Sequence, residues 1–155
     1  MSPARPADRP QRVLICGWDA LMSVTVEDMR VRAPAGSEIT LITDEKPAGF
    51  STGTRNRITT KFAGGMPHAF EDISRVLDRG VDTIVLLPDM VASSDDMEDS
   101  LYLATMLCIK RYYKSNPQRP LPRVIGVANN ENIKEISQVR MRQRSARLSA
   151  RTKQR

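Results

Sequence analysis

The chain has 155 residues, of which 40% are hydrophobic, and this is enough for one domain with a single core. No stretch approaches the roughly 18 to 20 apolar residues that span a bilayer, and the Pro- and Arg-rich N-terminus does not resemble a signal peptide. The sequence therefore predicts a soluble, intracellular protein. Its formal net charge of +6 is unevenly distributed, because basic residues are concentrated at both ends and residues 13–139 are mildly acidic.

These shifts in composition predict three parts. Residues 1–11 hold three prolines and little to bury, so we expect a disordered arm. Residues 12–139 form the folded domain, and residues 140–155 form a basic tail that contains no acidic residue. Such a tail can bind nucleic acid, lie on anionic lipid or remain solvated. Because it has no aromatic residue for stacking on bases, the sequence weighs against specific nucleic-acid recognition.

The predicted elements alternate between strands and helices. Nearly unbroken apolar runs predict buried strands at 13–17, 39–43, 82–88 and 123–128, with a weaker strand at 57–62 that follows a loop over 46–54. Helices are predicted at 19–32, 67–79, 97–113 and 131–141, and Gly80 is a good C-terminal residue for the second. Strands joined by crossover helices pair in parallel and wind right-handed. We therefore expect an α/β, Rossmann-like three-layer sandwich with a parallel sheet of about five strands.

Ligand-binding candidates follow the predicted strands, because open α/β sheets bind ligands at the carboxyl ends of their strands. These candidates are Gly17, Trp18, Asp44, Glu45 and Asp89. Of the three glycines in a dinucleotide fingerprint only Gly17 is present, and the bulky Trp18 follows it, so the sequence disfavours NAD. Gly17 is interpreted first as a tight-turn residue. Asp44 and Glu45 can accept hydrogen bonds from a ribose, although a solvated strand end explains them equally well.

Acidic residues are dense where the third predicted helix begins. Asp95, Asp96, Glu98 and Asp99, together with Asp89, are candidate oxygen ligands for calcium. Their spacing is not that of an EF-hand, and acids also favour helix starts through the macrodipole. We therefore favour helix capping over calcium binding.

The remaining reactive side chains are interpreted as structural. Cys16 lies in a predicted strand and Cys108 in an apolar helix, so both are expected to be small core residues. His68 is the single histidine, and a surface or capping role is favoured over catalysis.

Several of these segments resemble one family. Arg12–Trp18 resembles the strand and Gly-Trp signature that opens the cytosolic domain of the Castor/Pollux ion-channel family. The stronger match is residues 82–109, where a strand ending in an acid is followed by an acidic, serine-containing loop and a helix with a Leu-Ala-Thr-Leu-Leu-like core, here Leu103–Leu107. Asp44–Pro47 and Val124–Ile136 resemble the family's second and last strand ends. The matches follow the family's order along most of the chain.

This resemblance implies an RCK-like domain, a Rossmann-like regulator of potassium conductance. In that family the domains assemble into a ring below a membrane pore and convert ligand binding into gating of cation transport. The implied function is a non-enzymatic, ligand-sensing and assembly domain of a potassium- or calcium-type channel or transport system. Its implied partners are further copies, other RCK-like domains, a pore subunit or segment and, through the tail, an anionic membrane surface.

The same resemblance implies a location at the cytosolic or organellar face of a membrane. The alternative is a small nucleotide-binding oxidoreductase or a degenerate relative of one. The missing glycines and the lack of a convincing acid, base or substrate lobe weigh against this alternative.

Overall fold

The structure is a computed structural model that describes residues 9–19, 22–87 and 95–126, with side chains from residue 100 onward in the last range. Within these ranges the strands are β1 (Arg12–Cys16), β2 (Glu38–Thr43), β3 (Gly53–Arg55), β4 (Ile58–Gly64), β5 (Thr83–Leu86) and β6 (Arg123–Gly126). The helices are α1 (Met22–Arg32), α2 (Phe70–Leu77) and α3 (Asp95–Ser115). None of these helices combines the length and hydropathy needed to cross a membrane.

The six described strands form one sheet in the order β3-β4-β2-β1-β5-β6. All neighbours are parallel except β3, which pairs antiparallel with β4. Leu14 lies at the centre, paired with Thr40 of β2 and Ile84 of β5. The predicted α/β class with five parallel strands is confirmed, and the carboxyl ends of β1, β2 and β5 lie at one edge.

Successive side chains of each central strand point to opposite faces, and both faces are covered. Ile15, Leu41 and Val85 belong to a core beneath Met22 and Val26 of α1. The other core, beneath α2 and α3, contains the side chains Leu14, Ile42, Ile84, Ile73, Leu77, Met106 and Ile109. Burial on both faces explains why these strands are almost uninterrupted apolar runs rather than alternating ones. The predicted three-layer arrangement is confirmed.

The segment between β2 and β4 differs from the prediction. The loop predicted over 46–54 ends in strand β3, which forms a hairpin with β4 through a turn at Asn56 and Arg57. Both turn residues have positive φ, at 52° and 63°, as a type I′ turn requires. The sequence pattern missed β3 because all three of its residues are exposed, so no apolar alternation marks it.

A buried arginine fixes this segment to the domain. Arg30 of α1 is 4% exposed and donates hydrogen bonds to the Ser51 carbonyl at 3.0 Å and the Thr60 hydroxyl at 3.1 Å. The Thr60 hydroxyl donates to the same carbonyl at 2.6 Å. The Glu27 carboxylate lies 3.6 Å from Arg30 Nε and balances the buried charge. Polar contacts therefore hold the β2–β3 segment against the sheet.

Helix ends differ from the prediction by a few residues. The helix predicted over 19–32 is described from Met22 to Arg32, and residues 20 and 21 lie outside the described part. Asp19 caps this helix, because Asp19 Oδ1 accepts the Met22 N–H at 2.9 Å. Helix α2 is shorter than predicted and ends at Leu77. Gly80 follows it with φ +89°, and the Gly80 N–H donates to the Leu77 carbonyl. The helix predicted at 131–141 and the arm and tail segments 1–8 and 140–155 lie outside the described residues.

Candidate functional site

A cavity of about 650 Å³ opens at the carboxyl ends of β1, β2 and β5. Its walls come from five places: the β1–α1 turn, the segment after β2, the β4–α2 turn, the end of β5 and the first half of α3. The volume lies within the range of small-molecule sites, roughly 300–1,000 Å³. Its position is the one where open α/β sheets bind ligands.

Gly17 lies at the floor of this cavity, where the backbone at Leu87 approaches it closely. It has φ +94°, and a Cβ added there would lie 2.9 Å from the Leu87 carbonyl oxygen. The Gly17 N–H donates to the Ile42 carbonyl at 3.3 Å, and the Leu87 N–H donates to the Cys16 carbonyl at 2.9 Å. Only glycine therefore fits where β1 leaves the sheet between its neighbours.

The Trp18 ring forms a fixed part of the wall. It is half-buried and packs edge-on against Phe50, with ring centroids 5.5 Å apart. Phe50 itself is 2% exposed and belongs to the core beneath α1. Trp18 occupies the position after Gly17 where a dinucleotide fold needs space for a pyrophosphate.

The rim carries charged groups. Asp44 and Glu45 are exposed, and Lys46 follows them. The Thr43 hydroxyl donates to the Glu45 carbonyl at 2.7 Å, and the Thr43 carbonyl accepts the Gly65 N–H at 3.1 Å. The first bond orders the segment after β2, and the second connects that segment to the turn after β4.

The β4–α2 turn supplies Met66, Pro67 and His68 to the cavity. The Asp72 carboxylate accepts the Met66 N–H at 3.0 Å, and this bond holds the pKa of Asp72 below its usual value. The His68 carbonyl lies 3.3 Å from the Cys108 thiol, which donates to it. His68 is half-buried and lines the cavity. It is therefore more enclosed than the surface position that the sequence favoured.

Helix α3 closes the remaining side through Leu101, Tyr102 and Thr105. Tyr102 is 6% exposed, and a Cβ at Gly126 of β6 would collide with its hydroxyl oxygen. At the floor, Cys16 is buried, and burial raises the pKa of its thiol far above the ordinary value. A protonated, desolvated thiol of this kind is a poor nucleophile.

The structure brings together four of the predicted ligand-binding residues, namely Gly17, Trp18, Asp44 and Glu45. Asp89 lies outside the described residues. The predicted calcium ligands Asp95, Asp96, Glu98 and Asp99 fall in the first turns of α3, and their side chains also lie outside the described part. Elsewhere in the described part, no group of three or more His, Cys, Asp or Glu side chains is arranged to hold a metal. Both cysteines are free.

No protein-family model and no curated protein matches the chain. A solved structure of the human SLO3 gating ring matches 81% of the chain, with a TM-score of 0.53 and 21% sequence identity. The chain spans 20% of the length of that protein's chain. The match supports the Rossmann-like α/β fold expected from the sequence, whereas the RCK-like and Castor/Pollux relationships rest on the sequence resemblance.

Proposed function

We propose that this chain is a non-enzymatic regulatory domain of a cation channel or transport system of the Castor/Pollux type. In this proposal it binds a ligand in the cavity at the carboxyl edge and transmits that binding to its assembly with neighbouring RCK-like domains. The observation that carries the proposal is the cavity itself, which is ligand-sized and lies at the binding edge of a fold shared with a gating ring.

The construction of the walls supplies a mechanism. Trp18, Asp44, His68 and Tyr102 come from four separate segments, so a ligand that contacts all four stabilises one arrangement of these segments. A ligand shifts an equilibrium between two arrangements by its difference in affinity for them. Helix α3 lines the cavity on one side and carries exposed side chains on another. A ligand that moves α3 would therefore also move the surface that meets a neighbouring domain.

Exposed apolar side chains support assembly. Val24 and Val31 lie two turns apart on the outer face of α1 and are 69% and 77% exposed. Leu107 on α3 and Leu121 before β6 are also more than half exposed. The proposed partners are other copies of this chain or RCK-like domains, together with a pore subunit or segment. The basic tail would hold the assembly near anionic lipid at the cytosolic or organellar face.

The absence of enzymatic activity is part of the proposal. The cavity's own thiol, Cys16, is kept protonated by burial, whereas a catalytic cysteine needs a lowered pKa. The rival oxidoreductase function needs NAD to enter past Trp18. Titration with NADH tests it directly, because the reduced nicotinamide accepts excitation energy from a nearby tryptophan.

Trp18 is the single tryptophan, so its fluorescence reports on the cavity without interference from other sites. The test titrates the protein with calcium, AMP and NADH, and follows each saturating ligand by sedimentation velocity. We expect a ligand that changes Trp18 emission to change the sedimentation coefficient as well.

The matched variants lie on one helix. Leu101→Phe adds volume to the cavity lining, whereas Leu107→Phe adds the same ring at a site 56% exposed that does not line it. Leu101→Phe should abolish both responses and Leu107→Phe should retain the fluorescence response. A ligand that saturates Trp18 while leaving sedimentation unchanged would contradict the regulatory role.

A further inference from the structure

We propose that the cavity selects a small organic cation, an ammonium compound with an apolar body and no phosphate group. This inference rests on the proposed function in one respect, since it assigns a ligand class to the same cavity. Three observations support it. Asp19 and Trp18 occupy the position that binds phosphate in dinucleotide folds, the rim carries carboxylates, and the inner lining is apolar.

The position that binds phosphate in dinucleotide folds is closed here. In those folds the free N–H groups at the start of the first helix hold the pyrophosphate. In this chain the Asp19 carboxylate caps that helix and accepts the Met22 N–H at 2.9 Å. The site that would receive an anion therefore already holds one, and Trp18 stands beside it with its ring fixed against Phe50. A nucleotide phosphate meets both charge repulsion and a steric block.

The rim attracts the opposite charge. Asp44 and Glu45 line the cavity against one neighbouring basic chain, Lys46, with His68 on the facing turn. Among the described residues the rim thus holds two carboxylates against one lysine, and an excess of negative charge raises the local concentration of cations.

The inner lining suits an apolar body. Leu86 and Leu87 lie at the strand end, and Leu101 lies opposite them on α3. Trp18 and Tyr102 add two aromatic rings, and aromatic faces attract organic cations in addition to contributing apolar contact. A metal ion would contact little of this apolar surface. An organic ammonium compound can place its charge near the carboxylates of the rim and its apolar body against the lining.

The test uses three compounds of similar shape that differ in charge: phenethylammonium, 2-phenylethanol and 3-phenylpropionate. Each is titrated against the 155-residue chain with Trp18 emission as the readout, and AMP serves as the phosphate probe. We expect phenethylammonium to bind at least ten times more tightly than 3-phenylpropionate, with the alcohol between them. The preference should weaken as salt is raised, because the carboxylates of the rim are exposed.

Charge variants identify the groups responsible. Asp44→Asn combined with Glu45→Gln should reduce the preference for the cation to less than threefold. The control, Asp28→Asn with Glu71→Gln, removes the same charge from exposed positions of α1 and α2 that do not line the cavity. This control should keep the tenfold preference.

The proposal is overturned if 3-phenylpropionate or AMP binds as tightly as phenethylammonium, or if none of the probes saturates in the millimolar range. Sedimentation separates this outcome from failure of the proposed function. An anion that binds and changes assembly refutes the ligand class and leaves the regulatory role standing. Binding of the cation without a change in assembly supports the ligand class and contradicts the regulatory role.

Discussion

Gly17→Ala tests whether β1 leaves the sheet through a position that only glycine can occupy. The φ of +94° costs an L-residue about 1–2 kcal/mol. The added Cβ would also lie 2.9 Å from the Leu87 carbonyl oxygen and 3.4 Å from the Leu87 Cβ, so β1 and β5 must separate where they are buried. Overpacking of this kind costs about 1–3 kcal/mol. The expected loss is about 2–5 kcal/mol, a large part of a typical stability of about 5–15 kcal/mol.

Urea denaturation followed by circular dichroism measures this loss, with Gly53→Ala as the matched control. Gly53 also has a positive φ, +130°, but nothing lies within 4 Å of an added Cβ. The control should therefore show the backbone cost alone, about 1–2 kcal/mol. If Gly17→Ala is no more destabilising than Gly53→Ala, the close approach of Leu87 is not a real constraint and the reasoning about the cavity floor is wrong.

Three further changes have defined expectations. Arg30→Ala should lower the free energy of unfolding by about 2–4 kcal/mol in urea denaturation, because it removes two charge-assisted hydrogen bonds. Arg32→Ala, which removes an exposed ion pair, should lower it by less than about 0.5 kcal/mol. Arg57→Gly should stabilise the protein by about 0.5–1 kcal/mol, because glycine accepts the φ of 63° in the β3–β4 turn without strain; a loss would contradict the turn geometry. Burial and the hydrogen bond to Asp78 raise the pKa of Tyr112 to about 12. The fold thus favours the neutral phenol, so stability should fall as pH rises from about 10 towards 12, and Tyr112→Phe should flatten that fall in alkaline denaturation curves.

The central sheet could be predicted from the sequence because its strands are buried on both faces. Runs such as Val13–Cys16 and Ile39–Ile42 need no knowledge of tertiary contacts to be recognised. Strand β3 could not be recognised in this way, since it pairs through its backbone and buries no side chain. The buried position of Arg30 was also unpredictable, because its partners Ser51 and Thr60 are distant in sequence.

The residues of the candidate site could likewise be predicted only in part. Gly17, Trp18, Asp44 and Glu45 were found because parallel strands end at a common edge, which makes residues after different strands neighbours. Tyr102 was missed, since helical periodicity shows which face of α3 is apolar but not that this face reaches the strand ends. The acidic cluster predicted for calcium remains a prediction, because its side chains lie outside the described residues.

The central claim is that filling the cavity changes how the chain assembles. Its most direct test is sedimentation equilibrium of the full chain across a range of protein concentrations, with and without a ligand that saturates Trp18 emission. Calcium, AMP, NADH and phenethylammonium serve as the probes, and the Leu101→Phe variant serves as the blocked cavity. We predict that a bound probe shifts the association constant of the wild-type protein and leaves that of Leu101→Phe unchanged. An association constant that stays the same while Trp18 is saturated, or that shifts equally in both proteins, would contradict the account.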